Sequence, residues 1–304
     1  MIHFLQTLID ALSLGSLYAL AALGIGLLFG IMRLINFAHG DFVALSAYAL
    51  ILPSTDVVST LFIGSLSWPL LIAAILTFGV VVALLSNFAV FRRMRTASPQ
   101  NLMVVSFALG YVIQNLIMTV YGARPKALGL WSSLTQVIDV GGLRVPLLQL
   151  VTIGVTAGLL LGLLLFMRKT PFGIQMRAAA DDFRMARFLG VRADFVIALS
   201  FAISGLLAGV VSLLFVVQTG VLAPTMASDI IIFAFIATVV GGMGSLPGAV
   251  LGGLLVGAAS SLLQAYLPDG IRAFRDVFVF LFVIALLLVR PSGIIRLKQF
   301  EERV

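Results

Sequence analysis

Charged residues are scarce in this chain. Lysine, arginine, aspartate and glutamate together make up 10% of its 304 residues, whereas soluble globular domains contain about 25%. The side chains needed to cover a water-facing surface are therefore missing. Apolar runs of about 20 residues recur from one end of the sequence to the other, and each is long enough to cross about 30 Å of hydrocarbon. The composition excludes a soluble helical bundle and indicates an integral membrane protein.

Cysteine is absent altogether, and histidine occurs only twice, as His3 and His39. The absence of cysteine excludes disulfides, thiolate metal sites and a cysteine nucleophile. The two histidines lack the spacing of a metal-binding pair, so no metal site is predicted. A membrane-embedded enzyme would need clustered histidine or carboxylate side chains at the membrane surface, and His39 with Asp41 is too small a cluster. The sequence therefore predicts no catalytic site on this chain.

Nine apolar stretches are predicted to form helices, because lipid offers the backbone polar groups no other partners. The predicted spans cover residues 8–30, 37–53, 67–91, 99–121, 147–167, 193–217, 226–245, 247–267 and 272–290. Two of them, 37–53 and 226–245, are short or interrupted by glycine, and we expect broken or re-entrant helices there. The expected fold is an all-α polytopic membrane bundle of about eight or nine transmembrane helices.

Basic residues are concentrated in three segments between or after the apolar runs. The clusters are Arg92, Arg93 and Arg95; Arg168, Lys169, Arg177, Arg184, Arg187 and Arg192; and Arg290, Arg296 and Lys298. Basic loops favour the cytoplasmic side, and the number of spans between the clusters is consistent with placing all three there. The loop at about 122–146 and the N-terminus then lie outside, and the C-terminus lies inside. Because the net charge of +7 is located in these loops, we predict no nucleic-acid partner.

Small residues recur four positions apart within several predicted spans. The sets are Gly26/Gly30, Gly154/Gly158/Gly162, Gly205/Gly209 and Gly253/Gly257. This spacing allows the backbones of neighbouring helices to approach closely. We expect these glycines to serve helix packing rather than chemistry.

The longest predicted cytoplasmic loop, at about 168–192, alternates charged and apolar residues at helical spacing. Arg177 and Asp181 lie four residues apart in it, where they can pair on one face of a helix predicted over 172–191. Such a helix can lie on lipid headgroups or against a partner protein. Asp181 and Asp182 favour a partner protein, because anionic lipid repels carboxylates. The residues predicted to form this docking surface are Arg177, Asp181, Asp182, Phe183, Arg184, Leu189 and Gly190.

Two sources of transport energy are missing from the sequence. No Gly-x-x-x-x-Gly-Lys-Ser/Thr run occurs, so any ATP that drives this protein must be hydrolysed by a separate subunit. A proton-coupled carrier needs an ionisable group near the membrane midplane. Asp10, Asp194 and Asp229 fall near predicted span ends, however, and His39 and Asp41 fall near the inner boundary. The sequence favours an external energy source or a passive channel, with the charged loop as the docking surface for an ATPase.

Neutral polar residues within the spans are candidates for a wet pathway, although hydrogen bonds to a neighbouring helix explain most such residues. Gln114 and Asn115 are the strongest pair, because two adjacent amides are costly to leave facing lipid. In the polar segment 36–42, Asn36 can be the N-cap of the next helix, or the segment can be a broken helix facing a translocation path. The candidates for the path in this segment are Asn36, Phe37, His39 and Gly40.

Four segments occur together in a specific order. They are Leu34–Phe42; Thr170–Gly173 followed by Arg177-Ala178 and Leu189–Val191; Gly241–Ala249; and Arg290–Ile294. This set resembles the LivH-type permease subunits of branched-chain amino acid ABC importers, and the resemblance covers nearly the whole chain. The general coupling-loop pattern of ABC importers begins Glu-Ala-Ala, with Gly four residues after the second Ala. Here Ala178-Ala179-Ala180 lacks the Glu, and Gly190 comes later.

The resemblance implies that residues 1–304 form a single permease domain, the pore-forming subunit of an ATP-driven importer in a bacterial inner membrane. Its implied partners are a second homologous permease, two cytoplasmic ATPases that use ATP and Mg²⁺, a periplasmic substrate-binding protein and the surrounding lipid. The chain itself is expected to bind no cofactor. Gly242, Gly244 and Pro247 become further pathway candidates. The expected substrates are branched-chain or other aliphatic amino acids. The alternatives are urea, short amides or aromatic acids, and a secondary carrier.

Overall fold

The structure, a computed structural model, describes residues 2–56, 59–95 and 97–295. Eleven α-helices occur in these ranges. They are α1 (Ile2–Met32), α2 (His39–Tyr48), α3 (Trp68–Ala89), α4 (Pro99–Tyr121), α5 (Leu147–Lys169), α6 (Pro171–Asp181), α7 (Phe183–Phe188), α8 (Ala193–Thr219), α9 (Met226–Gly241), α10 (Leu246–Tyr266) and α11 (Arg275–Val289). The prediction of a polytopic helical bundle is confirmed.

Six helices of the described chain are long and apolar enough to cross a membrane: α1, α3 with the 3-10 turn after it, α4, α5, α8 and α10. The remaining elements in predicted spans are shorter, since α2 has 10 residues, α9 has 16 and α11 has 15. A ten-residue helix is about 15 Å long, half the thickness of the hydrocarbon. The prediction of a full helical span over 37–53 is therefore wrong, and the expectation of a broken helix there is confirmed.

Helix α1 forms the buried centre of the bundle, and α10 packs along it at very short distance. A β-carbon on Gly253 would lie 2.4 Å from the Cα atom of Ala19, and one on Gly257 would lie 2.2 Å from the Cα atom of Gly15. Glycine is required at such contacts, because a side chain would push the two backbones apart. The prediction that Gly253 and Gly257 serve helix packing is confirmed.

Helices α3 and α8 make a second close contact, in which a β-carbon on Gly205 would lie 2.4 Å from the carbonyl oxygen of Gly79. The glycines of α5 behave differently. A β-carbon on Gly154, Gly158 or Gly162 would meet no atom of the described chain within 4 Å. Their face of α5 is exposed, so the prediction that these three glycines pack against a neighbouring helix is wrong within the described chain.

One end of the bundle, called here the hairpin end, contains the loop at 122–146. Four short strands occur in the described residues: β1 (Lys126–Ala127), β2 (Val137–Val140), β3 (Leu143–Pro146) and β4 (Val221–Leu222). Strands β2 and β3 form an antiparallel hairpin, and β1 pairs antiparallel with β4. The hairpin contacts the start of α1, where the N–H group of Arg144 donates to Oε1 of Gln6 over 3.1 Å. These strands are a small departure from the predicted all-α fold.

The opposite end of the bundle, called here the basic end, contains α6, α7 and described members of all three basic clusters. Arg92 and Arg95, which follow α3, both form ion pairs with Asp194 at the start of α8. Arg290 follows α11 at the same end, whereas Arg296 and Lys298 lie outside the described residues. The predicted location of the three clusters on one side is consistent with this arrangement.

Residues 33–50 cross the bundle as an irregular stretch followed by α2. Helix α1 ends next to Arg33, whose φ of +56° reverses the direction of the chain. The chain then returns into the bundle, and α2 begins at His39, whose ring lies against Gly24 of the central helix. The segment reaches the hairpin end after Tyr48. Residues 33–38 of this crossing are therefore not part of a helix.

Candidate translocation pathway and docking loop

A cavity of about 370 Å³ opens on the side of the bundle between α2, α4 and α9. Its described lining residues are Phe37, Asp41, Phe107, Gly110, Tyr111, Gln114, Ser228, Ile231 and Ile232. Phe37 and Gln114 are predicted pathway residues, and the structure brings them together here. Gly110 is the central residue of α4, so the cavity lies at about half the depth of the bundle.

The side chain of Asp41 also lies at this depth. A β-carbon on Gly110 would lie 2.2 Å from Oδ2 of Asp41, so the carboxylate occupies the space that the glycine leaves open. The prediction that Asp41 lies near the inner boundary is wrong, and so is the prediction that no acidic residue lies near the midplane. The cause is the irregular stretch after Arg33, which takes the chain halfway through the bundle before α2 begins.

Ser106 of α4 holds this irregular stretch in place. Its hydroxyl accepts a hydrogen bond from the N–H group of Phe37 over 3.1 Å and lies 3.3 Å from the carbonyl oxygen of Ile35. Backbone groups at this depth need such partners, because hydrocarbon offers none. The Phe37 ring stacks on Phe107, with centroids 4.1 Å apart, and thereby forms one wall of the cavity.

His39 lies between α1 and α8 rather than in the cavity. Its ring is fully buried, with Nδ1 3.0 Å from Oγ of Ser204 and the ring packed on Gly24. Gly40, the next residue, is buried as well. The described residues contain no group of three or more histidine, aspartate or glutamate side chains that could hold a metal ion. His39 is therefore placed as a core residue that connects helices.

Asn36 is fully buried, and it is not the N-cap of α2. The N-cap residue is Ala38, and Asn36 contributes its carbonyl oxygen, which accepts from the N–H group of His39 over 3.2 Å. The alternative in which the Asn36 side chain caps the helix is therefore wrong. Neither Nδ2 nor Oδ1 of Asn36 has a hydrogen-bond partner within the described part of the chain. Leaving a buried amide unpaired costs about 1–3 kcal/mol for each group.

The two adjacent amides of α4 have different surroundings. Gln114 lines the cavity, whereas Asn115 is exposed and donates from Nδ2 to the carbonyl oxygen of Tyr111 over 2.8 Å. That bond lies within one turn of the same helix. Of these two predicted pathway candidates, Gln114 is among the described lining residues of the cavity and Asn115 is not.

The glycine-rich turn between α9 and α10 lies at the basic end, apart from this cavity. Gly242 has a φ of +106°, and a β-carbon there would lie 2.2 Å from the carbonyl oxygen of Ile295. Gly244 has a φ of +85°. Pro247, in the first turn of α10, lines a second cavity of about 440 Å³. The structure does not bring these three predicted pathway residues to the cavity between α2, α4 and α9.

The docking loop forms two helices instead of the single helix predicted over 172–191. Helix α6 ends at Asp181 and α7 begins at Phe183, because Asp182 between them has an extended backbone. Oδ1 of Asp182 accepts from the N–H groups of Arg184 and Met185 over 2.8 and 2.9 Å. Asp182 is thus the N-cap of α7. Its carboxylate, predicted for docking, is used within the loop.

Large apolar side chains project from the end of the docking loop. Phe188 is 81% exposed, Leu189 is 82% exposed and Met185 is 57% exposed. Gly190, with a φ of +89°, ends this turn, whereas Ala186 faces inward and is buried. Ala186 and Leu189 of the helix predicted over 172–191 therefore face opposite ways, and Leu189 points away from the bundle.

The other predicted docking residues lie beside the end of α1. Asp181 and Arg33 both line two neighbouring cavities of about 440 and 420 Å³ at the basic end. Arg177 lines the larger cavity, and Phe183 and Arg184 line the smaller one. The docking loop therefore has an outer apolar tip and an inner polar part in contact with the central helix.

Sequence reasoning missed several residues that shape this cavity and the irregular stretch beside it. Ser106 holds the irregular stretch, Gly24 and Gly110 leave space for the side chains of α2, and Ser228 lines the cavity. Single small residues within apolar spans give no pattern that distinguishes these roles from ordinary packing.

The chain matches the family described as "Branched-chain amino acid transport system / permease component" over residues 7–289. The "High-affinity branched-chain amino acid transport system permease protein BraD" of Pseudomonas aeruginosa is 31% identical, covering 99% of this chain and 98% of that protein. The corresponding protein LivH of Escherichia coli K12 is 32% identical with the same coverage. A chain of PsaBC from Streptococcus pneumoniae, solved in complex with Fab, has a TM-score of 0.48 at 18% identity, covering 95% of this chain and 92% of that chain. The family match over nearly the whole sequence places this chain among the permease components of branched-chain amino acid transport systems.

Proposed function

We propose that this chain is the pore-forming permease of an ATP-driven importer in a bacterial inner membrane. It conducts branched-chain or other aliphatic amino acids that a periplasmic binding protein delivers. The observation that carries the proposal is the cavity at half depth, which combines the carboxylate of Asp41 with aromatic and aliphatic walls. The family match and the names of the similar proteins support the same substrate class.

A second, homologous permease subunit forms the other wall of the pathway in this proposal. Tyr111 and Asn115 are exposed on the outward face of α4, and Gln114 and Asp41 line the cavity that opens beside them. Hydrocarbon offers such groups no hydrogen-bond partners, so leaving this face in lipid is costly. A second permease placed against α4 would enclose these groups together with water.

Two ATPase subunits, which use ATP and Mg²⁺, dock at the basic end, which faces the cytoplasm in this proposal together with the C-terminus. The exposed Phe188 and Leu189 are suited to an apolar groove on a soluble partner, since buried aromatic and aliphatic anchors contribute most to such interfaces. Asp181, beside Arg33, places the docking loop in contact with the end of α1. A movement of the ATPases can thus be transmitted through the docking loop to α1, at the centre of the bundle.

The test is uptake into vesicles that contain the complete complex purified with this chain. With the binding protein outside and ATP inside, we expect accumulation of leucine, isoleucine and valine. The same vesicles without Mg²⁺ are the matched control and should accumulate none of them. Leucine uptake that follows a proton gradient without ATP would show a secondary carrier. ATP-driven uptake of urea or an aromatic acid, with none of leucine, would contradict the proposed substrate.

A further inference from the structure

Asp41 places an ionisable carboxylate at half the depth of a membrane bundle, where such groups are rare and usually functional. The carboxylate fits over Gly110 and lines the cavity between α2, α4 and α9. Asp41 makes no ion pair with any residue that the structure describes. A charged Asp41 therefore needs either a cation from outside the described chain or water in the cavity to stabilise it.

The other described residues of the cavity lining are apolar or neutral. Phe37 and Phe107 form a stacked aromatic wall, and Ile231 and Ile232 of α9 also line the space. Gln114 adds one amide. Lysine, arginine and histidine are absent from the described lining residues. The described lining thus combines one carboxylate, an apolar wall and the neutral hydrogen-bond donors Tyr111, Gln114 and Ser228.

We propose that Asp41 binds the α-ammonium group of an aliphatic amino acid as it passes through the permease. This assignment rests on the proposed function. The aliphatic side chain lies against Phe37 and Phe107, and the substrate carboxylate is directed toward the amide of Gln114. A cavity of about 370 Å³ is within the range of small-molecule sites, which begins at about 300 Å³.

The chemistry of the site favours a zwitterion over a simple acid or a neutral amide. An ammonium group makes short, charge-assisted hydrogen bonds to a carboxylate, and these are about twice as strong as neutral ones. A free carboxylic acid without an amine brings a second negative charge to Asp41 and is repelled. The permease then contributes its own selectivity after the binding protein has released the substrate.

The absence of cysteine from this chain makes the charge of the cavity measurable. We would introduce Ser228→Cys, which lines the cavity, into the complete complex and measure its reaction with cationic and anionic methanethiosulfonate reagents. The complex without this substitution supplies the background from cysteines of the partner subunits. If Asp41 is charged and accessible, the cationic reagent should react at least about tenfold faster.

Protection by substrate analogues tests the assignment itself. Leucine should slow the labelling of Ser228→Cys, whereas 4-methylpentanoate, which lacks only the ammonium group, should not. Asp41→Asn should abolish both the protection by leucine and the preference for the cationic reagent. Asp269→Asn is the matched control, because Asp269 is exposed and pairs with Arg272 far from the cavity.

Two results would overturn the inference: equal labelling rates for the two reagents, or equal protection by leucine and 4-methylpentanoate. Both are measured with Asp41 intact, so they remain decisive if Asp41→Asn fails to assemble. An ion pair with the second permease would give equal rates and a complex that dissociates in Asp41→Asn. The labelling needs no transport, so failure of leucine uptake in the vesicles would contradict the proposed function separately.

Discussion

The Nδ1 atom of His39 lies 3.0 Å from the hydroxyl oxygen of Ser204, and that oxygen is 3.2 Å from the carbonyl oxygen of Gly24. The three residues belong to α2, α8 and α1, so one buried contact joins three helices beside the cavity. A β-carbon on Gly24 would lie 2.3 Å from the His39 ring. The start of α2 therefore depends on the absence of a side chain at residue 24.

Gly24→Ala should lower the free energy of unfolding by about 1–3 kcal/mol, because the added methyl group overlaps the His39 ring in a closely packed core. The measurement is denaturant unfolding of the purified protein in one detergent. Gly154→Ala makes the same chemical change in α5, where nothing lies within 4 Å, and should cause no such loss. An equal loss in both variants would contradict the contact described for Gly24.

Ser106→Ala should reduce the rate of ATP-driven leucine uptake and lower the free energy of unfolding by about 1–3 kcal/mol. The change leaves the N–H group of Phe37 without its partner at the depth of the cavity. Ser86→Ala is the control, since Ser86 is also buried in a span but its hydroxyl donates to the Val82 carbonyl of its own helix. An equal fall in leucine uptake by the two variants would show that the hydrogen bond between Ser106 and Phe37 does not matter for transport.

Phe188→Ser and Leu189→Ser should each reduce recovery of the ATPase subunits with this chain by tenfold or more. Tenfold corresponds to about 1.4 kcal/mol, which is modest for a buried apolar anchor at an interface. Quantitative co-purification in mild detergent measures the effect. Phe62→Ser removes another exposed aromatic side chain, at the hairpin end, and should leave ATPase recovery unchanged. Unchanged recovery with Phe188→Ser and Leu189→Ser would exclude this tip as the docking surface.

Asp182→Ala should destabilise α7 by about 1 kcal/mol, because the N–H groups of Arg184 and Met185 lose their acceptor. Asp182→Asn retains a good N-cap while removing the charge, so it should preserve the helix. Hydrogen exchange of the amides at 183–188 measures the difference directly. Faster exchange in both variants would show that the charge of Asp182, rather than its capping bonds, matters.

Hydropathy and basic loops predicted most of the fold. Runs of about 20 apolar residues correspond to the six long helices, and the loop at 122–146 lies opposite the basic clusters. The prediction of a full helical span over 37–53 was wrong because hydropathy indicates which residues enter a bundle but not whether their backbone is helical. The prediction for the glycines of α5 failed because spacing shows that close packing is possible, not that a partner is present in the same chain.

The candidate site was predicted only in part. Phe37 and Gln114, predicted as pathway residues, line the cavity, and their role in translocation stays a prediction. Asp41 was placed at the wrong depth because residues were counted from a helix boundary. The N-cap role of Asp182 could have been predicted, because aspartate is a preferred N-cap residue. Its side chain accepts hydrogen bonds from the N–H groups two and three residues later, as it does here. The contact between Ser106 and Phe37 joins residues 69 positions apart, and no local pattern predicts it.

The short α2 helix has a consequence for the order in which the protein is assembled during synthesis. Ten helical residues are too few to be inserted into a bilayer as an independent span. The contacts that secure this crossing come from Ser106 and Ser204, which are translated long after it. The contacts of the segment at 33–50 can therefore be completed only after α8 has been synthesised. A part of the protein that leaves the ribosome early is among the last to reach its final position.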